Sequence, residues 1–309
     1  MACYGVTNIA LSFVNKDLAQ SGEVEIPPLL LAQCVATVVL MKLMAPAAKG
    51  EPRALRAFSQ RMLIASPAAL LYAVQHYTRM KTFVLAAVDV VLVARQLVPI
   101  LCFAIERATG TEDKPQTTKS LACMGCIIAG VAVYARGKAE ASDRGTSEAA
   151  TTFAWTLALH LASTSVANVY TKHVCQRMHA SQYTLAVNLV SIPIFLYSSR
   201  RHLVPAPGFG SLGGRAKGLA ALSVVLSVGI SLAASMTQKR IDSASFAVFS
   251  NVLKIATIVL SSVLDKDTSV TATSWVGIGA AFAGSYFYSK FRQDPNNAPT
   301  GRKAKSRTS

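Results

Sequence analysis

Ten apolar stretches of 16 to 24 residues, parted by short polar segments, make up most of this chain: 1–19, 27–46, 62–78, 82–105, 120–135, 151–171, 182–198, 218–236, 244–264 and 270–289. A helix needs roughly 20 mainly apolar residues to cross the ~30 Å of hydrocarbon in a bilayer. The expected fold is therefore an all-α polytopic membrane protein with ten transmembrane helices. Charge content agrees: Asp, Glu, Lys and Arg form 15% of the chain, whereas a soluble domain carries about 25%. The first stretch is the weakest, because its apolar part stops at Val14 before Asn15-Lys16-Asp17. It lacks the basic segment that opens a secretory signal peptide.

Lys and Arg set the expected orientation. With the N-terminus in the cytosol, the cytosolic segments hold 17 basic residues and the opposite ones 10, so both termini are expected on the cytosolic side. The net charge of +16 thus reads as charge at the ends of membrane segments rather than as a nucleic-acid footprint. Cys123 and Cys126 form a CxxC inside an apolar run with no flanking His or charge. They read as small packing residues rather than a redox or metal pair.

The chain also repeats. The segment from Gly125 through Ala129, Gly130 and Tyr134 to Arg136 aligns without gaps onto Gly279, Ala283, Gly284, Tyr288 and Lys290, at an offset of 154 residues. That offset is almost half the chain, which points to duplication. Five helices per copy reverse the second copy in the membrane, giving two inverted five-helix repeats, 1–138 and 151–290. A connecting loop at 139–150 joins them, and a disordered basic cytosolic tail follows at 291–309. Transporters of this build bind substrate near the midplane, between the repeats.

Charged residues inside hydrocarbon cost about 2.5–3.5 kcal/mol on insertion scales and mark functional sites. Lys254 stands out: the nearest acidic residues are Asp242 and Asp265, both at span ends. Asn251 lies three residues earlier, on the same helix face, and Ser250 precedes it. An amide and an ammonium together suit an anionic, hydrogen-bonding ligand such as a phosphate. Arg95 precedes Pro99 by four residues, so a kink is expected beside it. Asp89, six residues before Arg95, falls on the far side of the helix. Asn168, Tyr170 and Lys172 close the sixth stretch, Asn188 lies in the seventh, and Lys16 ends the first. No GxSxG, HExxH or P-loop pattern occurs, so no enzyme is expected, nor any metal or other cofactor.

On these residues the chain resembles the nucleotide-sugar and plastid phosphate-translocator branch of the drug/metabolite transporter superfamily. Val14-Asn15-Lys16 is similar to the motif closing that family's first helix, and Arg95 through Pro99 to Glu106 to its fourth-helix segment. Tyr170-Thr171-Lys172 is similar to the sixth-helix end, Ser250-Asn251-Val252-Leu253-Lys254 to the ninth-helix motif, and 277–288 to the Gly-rich tenth. The resemblance implies a multi-pass Golgi or endoplasmic-reticulum protein that exchanges a cytosolic nucleotide sugar for a lumenal nucleoside monophosphate. Lys254 would bind phosphate, with Arg95 and Lys16 as further cations. Asn188, Asn251 and Ser250 would supply hydrogen bonds, and Tyr170 and Lys172 complete the candidate set.

Two departures bear on substrate. GDP-mannose transporters carry FYNN and GALNK where this chain has Leu185-Ala186-Val187-Asn188 and Ser250 to Lys254. Phosphate translocators carry Lys-Arg where Lys254 is followed by Ile255. Expected partners are the nucleotide sugar, the monophosphate and membrane lipid, with room for a homodimer and none for nucleic acid. The rivals are a plastid-type exchanger of phosphate and phosphorylated carbon compounds, and a non-transporting membrane scaffold. An amine exporter would need an intramembrane carboxylate at the cavity, for which Asp89 is the candidate.

Overall fold

The computed structural model describes residues 2–21, 24–44, 52–86, 88–111, 117–141, 147–200, 213–238, 246, 250, 257 and 271–293. All regular structure among them is helical. The helices are α1 (Ala2–Ser21), α2 (Ile26–Met44), α3 (Pro52–Leu85), α4 (Val88–Ala94), α5 (Val98–Ala108), α6 (Thr118–Ala141), α7 (Ser147–Arg177), α8 (Ala180–Ser199), α9 (Gly214–Gln238) and α10 (Ala272–Gln293). A 3₁₀ turn, Arg95–Leu97, joins α4 to α5. Counting α4 and α5 as one broken rod, the described residues form nine helices rather than ten. The expected span 244–264 is described only at Phe246, Ser250 and Thr257, each helical.

Three helices contain segments long and apolar enough to cross a membrane: Ile26–Leu43, Thr118–Lys138 and Gly214–Ala234. Their side chains are mostly turned outward, and large apolar residues such as Leu43, Leu63 and Val225 are exposed. The interior, by contrast, holds Asn8, Asn15, Gln33, Arg79, Arg95, Glu106 and Asn188.

The expected break at 79–81 is corrected. No helix breaker occupies those positions, and α3 runs unbroken to Leu85. Arg79 is buried there, donating from Nη2 to Ser12 Oγ at 2.8 Å, with its guanidinium 5.6 Å from the centre of the Phe83 ring. The expected polar segments at 106 and 172 are likewise helical. Glu106 and Lys172 lie within α5 and α7 and are both buried. The α5 helix ends on Gly110, at φ +65°. Gly110 N–H donates to the Arg107 carbonyl and Thr111 N–H to that of Glu106, a Schellman closure that needs the left-handed residue.

Helix pairing is reciprocal between the halves. First and third helices pair across them, α1 with α9 and α7 with α3. So do second with third, α2 with α9 and α8 with α3, while α2 pairs with α8 and α6 with α10. Exchanging the halves leaves this pattern unchanged. The α6–α10 seam repeats it atom by atom. A Cβ on Gly130 would strike Ala281 and Gly277, and a Cβ on Gly284 would strike Ile127 and Cys123. Subtracting 154 from 281 and 277 gives 127 and 123. The thiol of Cys126 donates to the carbonyl of Ala280, its own counterpart in that offset. Cys34, Cys102, Cys123, Cys126 and Cys175 are free thiols.

Candidate functional site

A cavity of about 140 Å³ lies where the two halves meet. Its walls come from α1, α3, the Arg95 turn, α5, α7, α8 and α9, with Phe246 and Ser250.

Pro99 explains how Arg95 is presented. Proline has no N–H, so the carbonyl four residues before it, that of Arg95, loses its α-helical donor. That carbonyl instead accepts from the N–H of Val98, closing a 3₁₀ turn. The neighbouring Gln96 accepts from Ser285 Oγ at 3.0 Å, anchoring the turn to α10. Arg95 is thus buried, held by a tight turn, and on the cavity wall.

Arg79 is the second guanidinium of the cavity. It sits on α3 one turn beyond Gln75 and His76 and two beyond Tyr72, all of them lining residues. The Tyr72 and His76 rings lie 4.1 Å apart, centre to centre, and form an aromatic ledge. Across the cavity, Asn188 donates from Nδ2 to the Thr184 carbonyl at 2.8 Å. Its buried Oδ1 meets no hydrogen-bond partner among the described residues. Thr171 and Tyr183 join their hydroxyls at 2.6 Å on the same wall. No Asp or Glu is among the described lining residues.

Of the residues expected from sequence, the cavity gathers Arg95, Asn168, Asn188 and Ser250. Lys254 and Asn251 lie outside the described residues. Lys16 is buried on α1 but does not line the cavity. Tyr170 donates its hydroxyl to the Ile64 carbonyl at 2.9 Å. Lys172 pairs with Glu106 at 3.9 Å, both side chains almost fully buried, and neither lines the cavity. Asp89 pairs with Lys138 at 2.8 Å, also away from the cavity, so an amine exporter finds no carboxylate among the described wall residues.

Sequence reading missed Arg79, His76, Gln75, Tyr72 and Asn8 as wall residues. A signal was present: residues 72, 75, 76 and 79 follow the 3,4 spacing of one helix face. On α1, Asn8, Ser12 and Asn15 do the same, and all three are buried. Asn15 accepts from Ser223 Oγ at 2.6 Å, and Gln33 Nε2 donates to that same hydroxyl at 2.7 Å. This chain of bonds fixes α1 against α2 and α9.

The Glu106–Lys172 pair has a structural consequence. Removing one partner of a buried pair strands the other charge, at about 3–5 kcal/mol. Lys172→Met should therefore lower the thermal unfolding midpoint strongly, and adding Glu106→Gln should restore most of the loss. A double variant as unstable as the single one would show that the pair is not what Lys172 contributes.

Fold and cavity together define an all-helical protein with a cation-bearing chamber between reciprocally paired halves. One solved structure, described as "Crystal structure of protein", is similar to this chain with a TM-score of 0.60, at 17% identity, over 93% of this chain and 96% of its own. At that identity the likeness is one of fold. No protein-family model matches the chain, and no curated protein does.

Proposed function

We propose that this chain is a ten-helix membrane antiporter of two inverted five-helix repeats. It exchanges a cytosolic nucleotide sugar for a lumenal nucleoside monophosphate across the Golgi or endoplasmic-reticulum membrane, and it performs no chemistry on either. The observation that carries the reading is the cavity between the halves. It has two buried arginines, amides and an aromatic ledge, and no carboxylate among its described lining residues. Reciprocal helix pairing supports the inverted repeat, and the resemblance read from the sequence supplies the substrate class.

In this reading Arg79 and Arg95 hold phosphate oxygens, because a guanidinium presents a planar fork of donors that suits them. Tyr72 and His76 offer the base a ring surface. Asn188 Oδ1 accepts a hydrogen bond from base, ribose or sugar, and the Asn168 side chain lines the same wall. Alternating access rocks one repeat against the other around the site. An anion between two guanidiniums offsets the repulsion that they exert on each other, more strongly at low dielectric. Occupied carriers therefore reorient more readily than empty ones. One-for-one exchange follows from this difference in cost between the two states.

The test is a thermal-shift screen of the purified protein against UMP, GMP, CMP, AMP and inorganic phosphate, followed by exchange in proteoliposomes. A nucleoside monophosphate is expected to stabilise the fold, by about 2.7 kcal/mol at a hundred times its Kd. The same monophosphate, trapped inside vesicles, should drive uptake of its nucleotide sugar. Stabilisation by phosphate alone would select the phosphate exchanger. No response to any of the five would overturn the transport reading in favour of a scaffold.

A further inference from the structure

A second concavity, of about 630 Å³, opens on the outer surface between α3, α7 and α8. It lies on the other side of α3 from the chamber: Tyr72, Gln75, His76 and Arg79 face inward, while Leu70, Tyr77 and Lys81 line the groove. Its walls are mostly apolar, with Trp155 and Leu159 of α7 and Phe195 of α8. Three of these residues have little cover from the chain itself: Trp155 is 74% exposed, Leu70 56% and Leu159 53%.

Polarity in the groove gathers toward one end, where Thr78 and Thr156 flank Lys81 and Leu85 lies one turn beyond it. Lys81 lies four residues before the close of α3, Thr152 five after the start of α7, and Ser198 one before the close of α8. From Leu70 to Lys81 is eleven residues, about 16 Å along a helix. That is the depth of one leaflet's hydrocarbon, about 15 Å. On the membrane reading, setting Leu70 at the bilayer midplane brings the ammonium to headgroup level, where a lysine stem reaches out to the polar boundary. Lys81 is exposed and makes no ion pair with a described residue.

We infer that this groove is a binding site for one anionic glycerophospholipid. An acyl chain lies along Leu70, Tyr77, Trp155 and Leu159, and the phosphate sits against Lys81. A flat apolar face would be wetted by any lipid. A leaflet-deep groove with its cation at the headgroup end selects for a tail and a negative charge together. The inference rests on the membrane reading but not on the substrate, since groove and chamber share no lining residue.

The chain's two tryptophans, Trp155 and Trp275, make the site directly readable. In a Trp275→Phe background the remaining indole is the one in the groove, and brominated acyl chains quench an indole they touch. The protein is reconstituted in phosphatidylcholine vesicles carrying rising fractions of brominated phosphatidylglycerol or brominated phosphatidylcholine. Half-quenching is expected at an about fivefold lower mole fraction for the anionic lipid, the effect of one lysine near the surface. Lys81→Gln should erase the preference and Lys81→Arg keep it. Equal quenching by both lipids in the parent protein would overturn the inference, as would a preference that survives Lys81→Gln. Absence of quenching would overturn it too, because the groove is then covered by something other than lipid. None of these outcomes alters the nucleotide thermal shift, so failure here is separate from failure of the transport reading.

Discussion

Arg95→Gln is expected to abolish the stabilisation that a nucleoside monophosphate gives the parent protein, while the unliganded variant still folds. Glutamine keeps some of the reach and hydrogen bonding of arginine, and a 3₁₀ turn set by Pro99 tolerates it, because the turn rests on backbone bonds. The lost quantity is the charge. Truncating one partner of a buried, hydrogen-bonded charge pair costs about 2–5 kcal/mol of binding, at least about 30-fold in affinity. Arg95→Lys retains a cation but not the planar fork, and should recover only part of the loss. Isothermal titration of parent, Gln and Lys variants with the monophosphate found in the screen gives the order directly. Equal affinity in all three would remove Arg95 from the phosphate site, leaving Arg79 as the cation to test. Arg79→Gln is the less clean experiment, because it also releases the Ser12 hydroxyl that ties α3 to α1.

Hydropathy located helices well where both faces of a segment are apolar, and poorly where one face is polar. The Gly125–Arg136 and Gly279–Lys290 segments fall inside α6 and α10, and their 154-residue offset reappears in the contacts of Gly130 and Gly284. Arg95 and Pro99 were equally legible, since a missing N–H has one consequence wherever it occurs in a helix. The failures share a cause. Arg79, Glu106 and Lys172 each raised local polarity enough to read as the end of a span. In the structure each is buried: Arg79 bonds Ser12, and Glu106 and Lys172 pair with each other. The Glu106–Lys172 pairing joins residues 66 positions apart, which no window along the chain reports. Seven of the residues that build the chamber, Asn8, Tyr72, Gln75, His76, Arg79, Arg95 and Asn188, come from four separate elements. Their convergence is a property of helix pairing, so sequence indicated the chemistry of the site more readily than its membership.

The seam between α6 and α10 separates two kinds of glycine, and alanine substitution should send them in opposite directions. Gly130 and Gly277 let the two backbones touch: a Cβ on either would meet backbone atoms of the facing helix closer than real Cβ contacts come. Backbone cannot rotate away as a flexible side chain can, so the helices must part. Overpacking of this kind costs about 1–3 kcal/mol or more, and separation also forfeits the close packing on which helix association in membranes depends. Gly125 and Gly279, on the same two helices, have nothing within 4 Å of where an alanine methyl would stand. There alanine brings only its better helix propensity, worth about 1 kcal/mol. Gly130→Ala and Gly277→Ala should therefore lower the thermal unfolding midpoint by several degrees, and Gly125→Ala and Gly279→Ala should hold or raise it. The comparison controls for helix propensity, because all four changes are chemically identical and differ only in what faces them. If Gly130→Ala and Gly125→Ala shift the midpoint alike, α6 and α10 do not meet backbone to backbone. The 154-residue correspondence of their contacts would then lose its physical basis, and with it the support that the seam gives to an inverted repeat.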